Sequence, residues 1–211
     1  MDRLVELYQR SYAVHGDSPA AVQWPRGRQE LRFDALTSHI VEESFSLLDF
    51  GCGLAHLKKY LDAKFPHFRY HGVDIVPEFI GDCSRMYPDA SFNLIRRHTD
   101  VGGEFDHVVI SGAFNLLYGT GVAQHRATVR EALVYLFRLT RIALSVNFMT
   151  DRVDFRQEHA YHEDVLDLYK FACENLSPRL ALDQSYMPYE FTLTVFRDRE
   201  IVRPDNIYRP R

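Results

Sequence analysis

The sequence predicts an α/β fold with one doubly wound, mostly parallel sheet. Short apolar runs alternate along the 211 residues with segments of helical periodicity, and two of these runs end in turns of the kind that bind ligands. The run 46–50 leads into Gly51 and Gly53. The run 70–73 ends at Asp74. Because strands that alternate with helices form right-handed crossovers, we predict seven strands, of which only the last is antiparallel.

Residues 1–43 precede the first strand and predict N-terminal helices that serve as a lid. A first helical pattern breaks at the turn formers of 15–19, and a second follows the Pro-Arg-Gly sequence at 25–27. The apolar positions that define the two patterns are Leu4, Leu7, Tyr8 and Tyr12 in the first and Leu31, Phe33, Leu36 and Ile40 in the second.

The core is predicted over residues 44–200, and with the lid and a loose tail at 201–211 it makes a single domain. The strands are expected at 46–50, 70–74, 92–96, 106–111, 141–148, 179–184 and 191–196. The helices of the core are expected at 55–64, 77–87, 126–139 and 162–175.

Composition is that of an ordinary globular protein and disfavours several partners. The formal net charge of −4 gives no attraction to nucleic acid or to an anionic membrane. No apolar run reaches the length of a membrane span, and the first residues do not form a signal peptide. The three cysteines are widely spaced, which predicts reduced thiols in a cytoplasmic protein rather than a disulfide or a metal site.

The turn after the first strand indicates which ligand binds. A dinucleotide site needs G-x-G-x-x-G, so that a pyrophosphate can approach the helix N-terminus. Here the pattern is Gly51-x-Gly53-x-Ala55, and Asp49 lies two residues before the first glycine. A carboxylate at this place suits a cationic ligand. It therefore favours S-adenosylmethionine (SAM), which carries ammonium and sulfonium groups, over NAD.

Three segments resemble the class I SAM-dependent methyltransferases, whose fold is Rossmann-like. Residues 48–55 (Leu-Asp-Phe-Gly-Cys-Gly-Leu-Ala) are similar to motif I of that family, with Ala55 where many members have a third glycine. Residues 72–74 resemble the acidic position after motif I, and residues 105–112 resemble the motif of the fourth strand. The resemblance implies SAM as the co-substrate.

Within that family, one small bacterial group resembles the chain more closely. The similar segments are 27–33 (Gly-Arg-Gln-Glu-Leu-Arg-Phe), 111–115 (Ser-Gly-Ala-Phe-Asn) and 189–192 (Tyr-Glu-Phe-Thr). Most members of the group have no assigned substrate, so this resemblance implies no acceptor.

Five residues around the first two strands are candidates for SAM binding. Asp49 is expected near the ammonium group, and Gly51 and Gly53 allow close approach of the backbone to the methionine part. Asp74 is expected to accept hydrogen bonds from the ribose hydroxyls, and Ile75 to cover the adenine or the ribose. Structural roles are the alternatives: Asp49 as an acceptor for loop N–H groups, and Asp74 as a helix N-cap.

Further candidates for SAM binding lie in the lid and after later strands. Asp100 is expected at the adenine amino group, with a plain turn as the alternative. Ser111, Gly112 and Phe114 follow the fourth strand, in the crevice where doubly wound sheets bind ligands, and Phe114 is expected to face the sulfonium. Arg32 is a candidate partner of the SAM carboxylate.

Asn115, Tyr186 and His15 are the candidate catalytic residues. Asn115 carries a donor and an acceptor, so it can orient an acceptor molecule or hold the amino-acid end of SAM. His15 is a candidate general base by residue type, as are His159 and His162, for which a solvated surface is the alternative; no metal site is expected. Aromatic residues expected over the ligand, with packing as the alternative for each, are Tyr8, Tyr12, Trp24, Tyr118, Tyr161, Tyr186 and Tyr189.

The function that these residues predict is SAM-dependent methylation of a small molecule at oxygen or nitrogen, by in-line displacement. One alternative is a different use of SAM, either cyclisation to an azetidine amino acid or aminocarboxypropyl transfer, with release of methylthioadenosine. A further alternative is a non-catalytic SAM-binding protein. We expect a small-molecule partner, no nucleic acid and no membrane, and we allow for a homodimer.

Overall fold

A computed structural model describes residues 2–23, 28–117, 119 and 121–197. Its α-helices are α1 (Asp2–His15), α2 (Gln29–Thr37), α3 (His56–Asp62), α4 (Pro77–Met86), α5 (Val122–Arg138) and α6 (Val165–Asn175). Its strands are β1 (Phe45–Phe50), β2 (Phe68–Asp74), β3 (Ser91–Leu94), β4 (Phe105–Ile110), β5 (Thr140–Thr150), β6 (His162–Glu163), β7 (Leu180–Asp183) and β8 (Glu190–Phe196). Two 3-10 helices cover Pro19–Val22 and His98–Asp100. Trp24, Tyr118 and the tail at 201–211 lie outside the described residues.

The strands form one sheet in the order β3-β2-β1-β4-β5-β8-β7. The pairs from β3 to β5 are parallel, while β8 is antiparallel to both β5 and β7. This confirms the predicted mostly parallel sheet with an antiparallel last strand. The chain runs outward from β1 to β3 and then crosses to β4, so the strand order reverses between β1 and β4, which creates a crevice there.

The segment that begins at His162 differs from the prediction. A helix was expected from this residue, but His162 and Glu163 form β6, a short strand that pairs in parallel with the end of β5. The helix begins only at Val165 because the Asp164 carboxylate accepts the backbone N–H groups of Leu166 (2.9 Å) and Asp167 (3.0 Å). The sheet therefore has an eighth strand among the residues described.

The core occupies both faces of the sheet, as expected of doubly wound strands. Leu47 packs in a cluster with buried residues of α2 and α3. Leu48, its neighbour in β1, packs in a second cluster with buried residues of α5 and α6. Because successive side chains of a strand point to opposite faces, the continuous apolar run of β1 supplies both clusters.

The first helix packs across α4, next to the crevice. The rings of Tyr8 and Tyr12 contact the Phe79 ring edge-on, with centroid distances of 6.1 and 5.4 Å. The Gln9 side-chain amide donates to the Glu78 carboxylate at 2.8 Å. The N-terminal helices thus cover the crevice, and their role as a lid stays a prediction. No helix in the described part of the chain is both long and apolar enough to cross a membrane.

Candidate active site

A cavity of about 320 Å³ lies at the carboxyl ends of β1, β2 and β4, under the N-terminal helices. Its position is the crevice where doubly wound sheets usually bind ligands. The residues that line the cavity from the N-terminal part of the chain are Leu4, Tyr8, Val22, Gln23, Gln29, Arg32 and Phe33. The part from β1 to β3 contributes Asp49, Phe50, Gly51, Cys52, Gly53, Leu54, His56, Leu57, Asp74, Ile75, Phe79 and Ile95. The part after β4 contributes Ser111, Gly112, Ala113, Asn115, Leu116, Met149, Gln157 and Glu190.

The loop after β1 needs a left-handed backbone at three positions. Gly51 has a φ of +78° and Gly53 a φ of +53°. A Cβ atom on Gly51 would lie 2.6 Å from Cβ of Ala113, so this position also has no room for a side chain. Ala55 has a φ of +56°, a left-handed conformation that favours glycine. Many members of the family that the chain resembles have glycine at this position.

Asp49 carries the buried carboxylate at the end of β1. Its Oδ2 accepts a hydrogen bond from the hydroxyl of Tyr70. Its Oδ1 is also buried but has no hydrogen-bond partner. Burial raises the pKa of Asp49 to about 7; the Tyr70 hydrogen bond opposes this shift, and the charge of Asp74 adds to it.

Asp74 joins the end of β2 to the glycine loop. Its Oδ2 accepts the backbone N–H of Gly53 at 2.8 Å, and its Oδ1 accepts that of Val76 at 2.9 Å. Burial raises the pKa of Asp74, against the effect of these backbone hydrogen bonds. The N-cap residue of α4 is Val76, not Asp74. Asp74 lines the cavity, and its binding of the ribose hydroxyls stays a prediction.

Arg32 lies in the cavity wall, but its guanidinium is engaged with Glu190. Its Nε is 2.9 Å from Oε2 of Glu190, and its Nη2 is 2.5 Å from Oε1. The Asn147 side-chain amide donates to the same carboxylate at 3.2 Å, and its Oδ1 accepts the Gly112 N–H at 2.8 Å. The ion pair holds Nε and Nη2 of Arg32, and binding of the SAM carboxylate by this residue stays a prediction.

Asn115 and its neighbours form the wall after β4. Ser111 and Gly112 line the cavity, and Gly112 has a φ of +78°. Asn115 also lines it and is only 8% exposed, with a buried Oδ1 that has no hydrogen-bond partner. Its backbone is fixed, because its N–H donates to the Gly112 carbonyl (3.1 Å) and its carbonyl accepts from the Tyr161 N–H (2.9 Å).

Two of the residues predicted to contact SAM lie outside the cavity. Phe114 packs in the core against Phe50 and Phe148, with ring centroids 5.8 and 6.2 Å away, and does not line the cavity. Asp100 is exposed and also lies outside the cavity. Its carboxylate accepts the backbone N–H groups of Arg96 and Arg97 and so closes a 3-10 turn, which was the alternative considered.

Two of the residues predicted to be catalytic, His15 and Tyr186, also lie outside the cavity. His15 is an exposed residue at the end of α1. The Tyr186 hydroxyl lies 3.0 Å from Oγ1 of Thr192, and burial raises its pKa to about 12. Neither residue lines the cavity, and the same holds for His159 and His162. Of the aromatic residues expected over the ligand, Tyr8 lines the cavity, whereas Tyr12, Tyr161, Tyr186 and Tyr189 do not.

Sequence reasoning missed His56 and Gln29. His56 begins α3 and lines the cavity; its Nε2 is 3.0 Å from Oδ1 of Asp17 and its Nδ1 is 3.1 Å from Nε2 of Gln29. The imidazole thus links the two N-terminal segments to the core. His56 directly follows motif I, and that adjacency was the available signal. Glu190 was marked only as part of the resembling segment 189–192, and Asn147 and Gln157 gave no local signal.

Solved structures of methyltransferases share this fold. Magnesium protoporphyrin IX methyltransferase from Synechocystis PCC 6803, with bound S-adenosylhomocysteine (SAH), is 16% identical with a TM-score of 0.65, over 92% of this chain and 94% of that chain. The 1,6-didemethyltoxoflavin N1-methyltransferase of Burkholderia thailandensis, with bound 1,6-didemethyltoxoflavin and SAH, is 15% identical with a TM-score of 0.66, over 92% and 87%. The N-methyltransferase NodS of Bradyrhizobium japonicum, in complex with SAH, is 16% identical with a TM-score of 0.62, over 93% and 98%.

The chain therefore has the Rossmann-like fold of the class I SAM-dependent methyltransferases. In sequence, it is 29% identical over 158 residues to a Mycobacterium tuberculosis protein for which a methyltransferase function has been suggested, and the match covers 72% of this chain and 93% of that protein. No protein-family model matches the chain. These similarities confirm the fold that the sequence predicts, and they agree with a SAM-dependent methyltransferase as the class of enzyme.

Proposed function

We propose that the protein transfers the methyl group of SAM to an oxygen or nitrogen atom of a small molecule. The observation that carries this proposal is Oδ1 of Asp49, a buried acceptor without a partner at the cavity wall. An unpaired buried carboxylate oxygen is costly, and a cationic donor removes this cost. The ammonium group of SAM is such a donor.

Other residues of the cavity fit the remaining parts of SAM. Asp74 would accept from the ribose hydroxyls, and Ile75 would cover the adenine or the ribose. Ser111 and Gly112 would lie along the methionine part. When bound, SAM supplies a methyl group on a positively charged sulfur, which leaves as a neutral thioether when a nucleophile attacks in line.

The cavity extends beyond these SAM-binding loops, which supports a second, separate molecule. Leu116, Met149, Gln157 and Glu190 line this further part, which we call the acceptor side. Two apolar side chains, one amide and one ion-paired carboxylate of this kind suit a small polar acceptor. Cyclisation of SAM would not need the acceptor side, and a non-catalytic SAM-binding protein would not need it either.

The test is to incubate the protein with SAM alone and then with pooled metabolites, and to identify the SAM-derived product by mass spectrometry. SAH that appears only with metabolites is the expected result. Methylthioadenosine would overturn methyl transfer in favour of cyclisation or aminocarboxypropyl transfer. SAM that binds but is never consumed would leave a binding protein.

A pair of carboxylate variants tests the proposed SAM site by calorimetry. Asp49→Asn keeps the acceptor for Tyr70 but removes the charge, so SAM affinity should fall about tenfold or more. Asp100→Asn is the matched control, because this carboxylate is exposed and outside the cavity, and its SAM affinity should not change. We further propose a cytoplasmic enzyme of small-molecule metabolism, either monomeric or a homodimer.

A further inference from the structure

We propose that the acceptor is a small amine that attacks in its neutral form, after any extra proton has been lost to water, and that Asn115 binds it through an N–H···Oδ1 hydrogen bond. This inference rests on the proposed methyl transfer and deepens it. It names the reacting atom as nitrogen and names the residue that orients it.

The first step in the argument is the position of Asn115. Its side chain is more than nine-tenths buried and lines the cavity, and its Oδ1 has no hydrogen-bond partner in the protein. The backbone N–H and carbonyl of Asn115 are held by Gly112 and Tyr161, so the residue is anchored in the cavity wall. A buried amide oxygen without a donor costs about 1–3 kcal/mol, which a ligand N–H or O–H would recover.

The second step is the charge of the cavity wall. Among the described lining residues, the carboxylates are Asp49, Asp74 and Glu190, and the one guanidinium is Arg32. Arg32 is already paired with Glu190, at 2.5 Å between Nη2 and Oε1. The wall therefore presents an excess of negative charge and of hydrogen-bond acceptors, which favours donor-rich ligands and disfavours anionic acceptors.

The third step separates nitrogen from oxygen. A hydroxyl acceptor must give up its proton to a base as the methyl group arrives. Of the titratable groups in the described wall, Glu190 is held by Arg32, Asp74 by two backbone N–H groups, and His56 by Asp17 and Gln29. The unpaired oxygen of Asp49 is assigned to the SAM ammonium.

A neutral amine does not need a base before attack, because it carries its own lone pair. In the proposed step the nitrogen lone pair forms the N–C bond while the C–S bond breaks, and its electron pair stays on the sulfur of SAH. Positive charge develops on the nitrogen, so the hydrogen bond to Oδ1 of Asn115 strengthens in the transition state. The methylated ammonium then loses its extra proton to water after release.

The test uses SAM with a deuterated methyl group and the intact protein. A microbial metabolite extract is separated by ion exchange into cationic, neutral and anionic pools, and each pool is incubated with the protein and labelled SAM. Mass spectrometry with fragmentation then locates the label. We expect labelled N-methyl products from the cationic or neutral pool. Label on oxygen or carbon, or label found only in the anionic pool, would overturn the amine acceptor while leaving methyl transfer intact.

Variants of Asn115 then test its role with the amine so identified. Asn115→Leu keeps the number and branching of the side-chain heavy atoms but removes the acceptor oxygen, so kcat should fall about 10- to 100-fold while SAM affinity stays within about twofold. Asn115→Asp keeps an acceptor oxygen and should retain most of the activity. Asn93→Ala, at an exposed asparagine of the edge strand β3, is the matched control and should behave as the unmodified protein.

The outcomes separate the inference from the proposed function. Unchanged turnover in Asn115→Leu would overturn the role of Asn115. Equal loss of SAM affinity and turnover would instead assign Asn115 to SAM binding, and would also overturn it. If no pool yields SAH although SAM binds by calorimetry, the proposed methyl transfer itself fails, and the amine acceptor fails with it.

Discussion

Arg32 of α2 and Glu190 of β8 are 158 residues apart in sequence and form a bidentate ion pair in the cavity wall. The pair brings together two of the three segments by which the chain resembles one small bacterial group, 27–33 and 189–192. The third segment, 111–115, joins them because Asn147 contacts both Glu190 and the Gly112 N–H. The three segments therefore form one continuous side of the cavity.

This ion pair predicts a specific pattern of stabilities. Glu190→Gln should destabilise the fold by about 3 kcal/mol, because it removes the Glu190 charge from beside the buried guanidinium. Replacing both residues, Arg32→Met with Glu190→Leu, should recover most of that loss, since no buried charge then remains. Urea unfolding of the two proteins measures both values. A double variant less stable than Glu190→Gln would contradict this account.

Substitutions at three glycines distinguish the effect of backbone strain from that of steric contact at Gly51 of motif I. Gly102 has neither a positive φ nor a neighbour within 4 Å, and Gly16 has a φ of +58° in open space. Gly51 has a φ of +78°, and a Cβ atom added to it would lie 2.6 Å from Cβ of Ala113. Thermal unfolding should therefore show almost no loss for Gly102→Ala, about 1 kcal/mol for Gly16→Ala, and a larger loss for Gly51→Ala. Gly51→Ala should also weaken SAM binding; equal losses at Gly16 and Gly51 would refute the steric part.

The raised pKa of Asp49 predicts how stability depends on pH. Its ordinary value is 3.8, and burial raises the pKa to about 7 in the folded protein. Between about pH 4 and pH 7 the unfolded chain loses this proton while the folded protein keeps it, so the contribution of Asp49 to stability falls as the pH rises. Asp49→Asn should thus gain stability over the unmodified protein across that interval, and lose SAM affinity. A stability difference independent of pH would contradict the shifted titration.

A second pH effect is expected at His39, which lies against His107 of β4. His39 Nε2 lies 3.2 Å from His107 Nδ1, and His107 Nε2 lies 3.0 Å from a Glu42 oxygen. Burial, with a smaller effect of His107, lowers the pKa of His39 from 6.5 to about 4. As the pH falls from about 6.5 to about 4, His39 takes up a proton in the unfolded chain but stays neutral in the folded protein. The folded protein is therefore less stable at the lower pH. His39→Gln should flatten this slope in urea unfolding, and an equal slope in both proteins would exclude His39 as its source.

Local patterns predicted the elements and the first half of the site. Asp49, Gly51, Gly53 and Asp74 are specified within two strand–turn units, where spacing fixes both backbone and side-chain direction. Asn115 was also predicted at the cavity, from its place after β4. The apolar periodicity predicted that α6 begins at residue 162. The helix begins at Val165 instead, because Asp164 is its N-cap.

The second half of the site depends on contacts between distant segments. Phe114 and Asn115 are neighbours, yet one points into the core and the other into the cavity, and position after a strand does not distinguish them. Arg32 lines the cavity, as the sequence predicts, but its partner Glu190 comes from the far end of the chain. A long-range ion pair of this kind has no local signature.

Asp74 limits how the proposed SAM site could change in evolution. The carboxylate that we propose for ribose binding also holds the Gly53 and Val76 N–H groups. A substitution that retunes the enzyme for another nucleoside would therefore disorganise the very loop that receives it. The conformation of the glycine loop and the choice of co-substrate therefore depend on the same carboxylate. A descendant with a new co-substrate would first need another residue to hold the glycine loop.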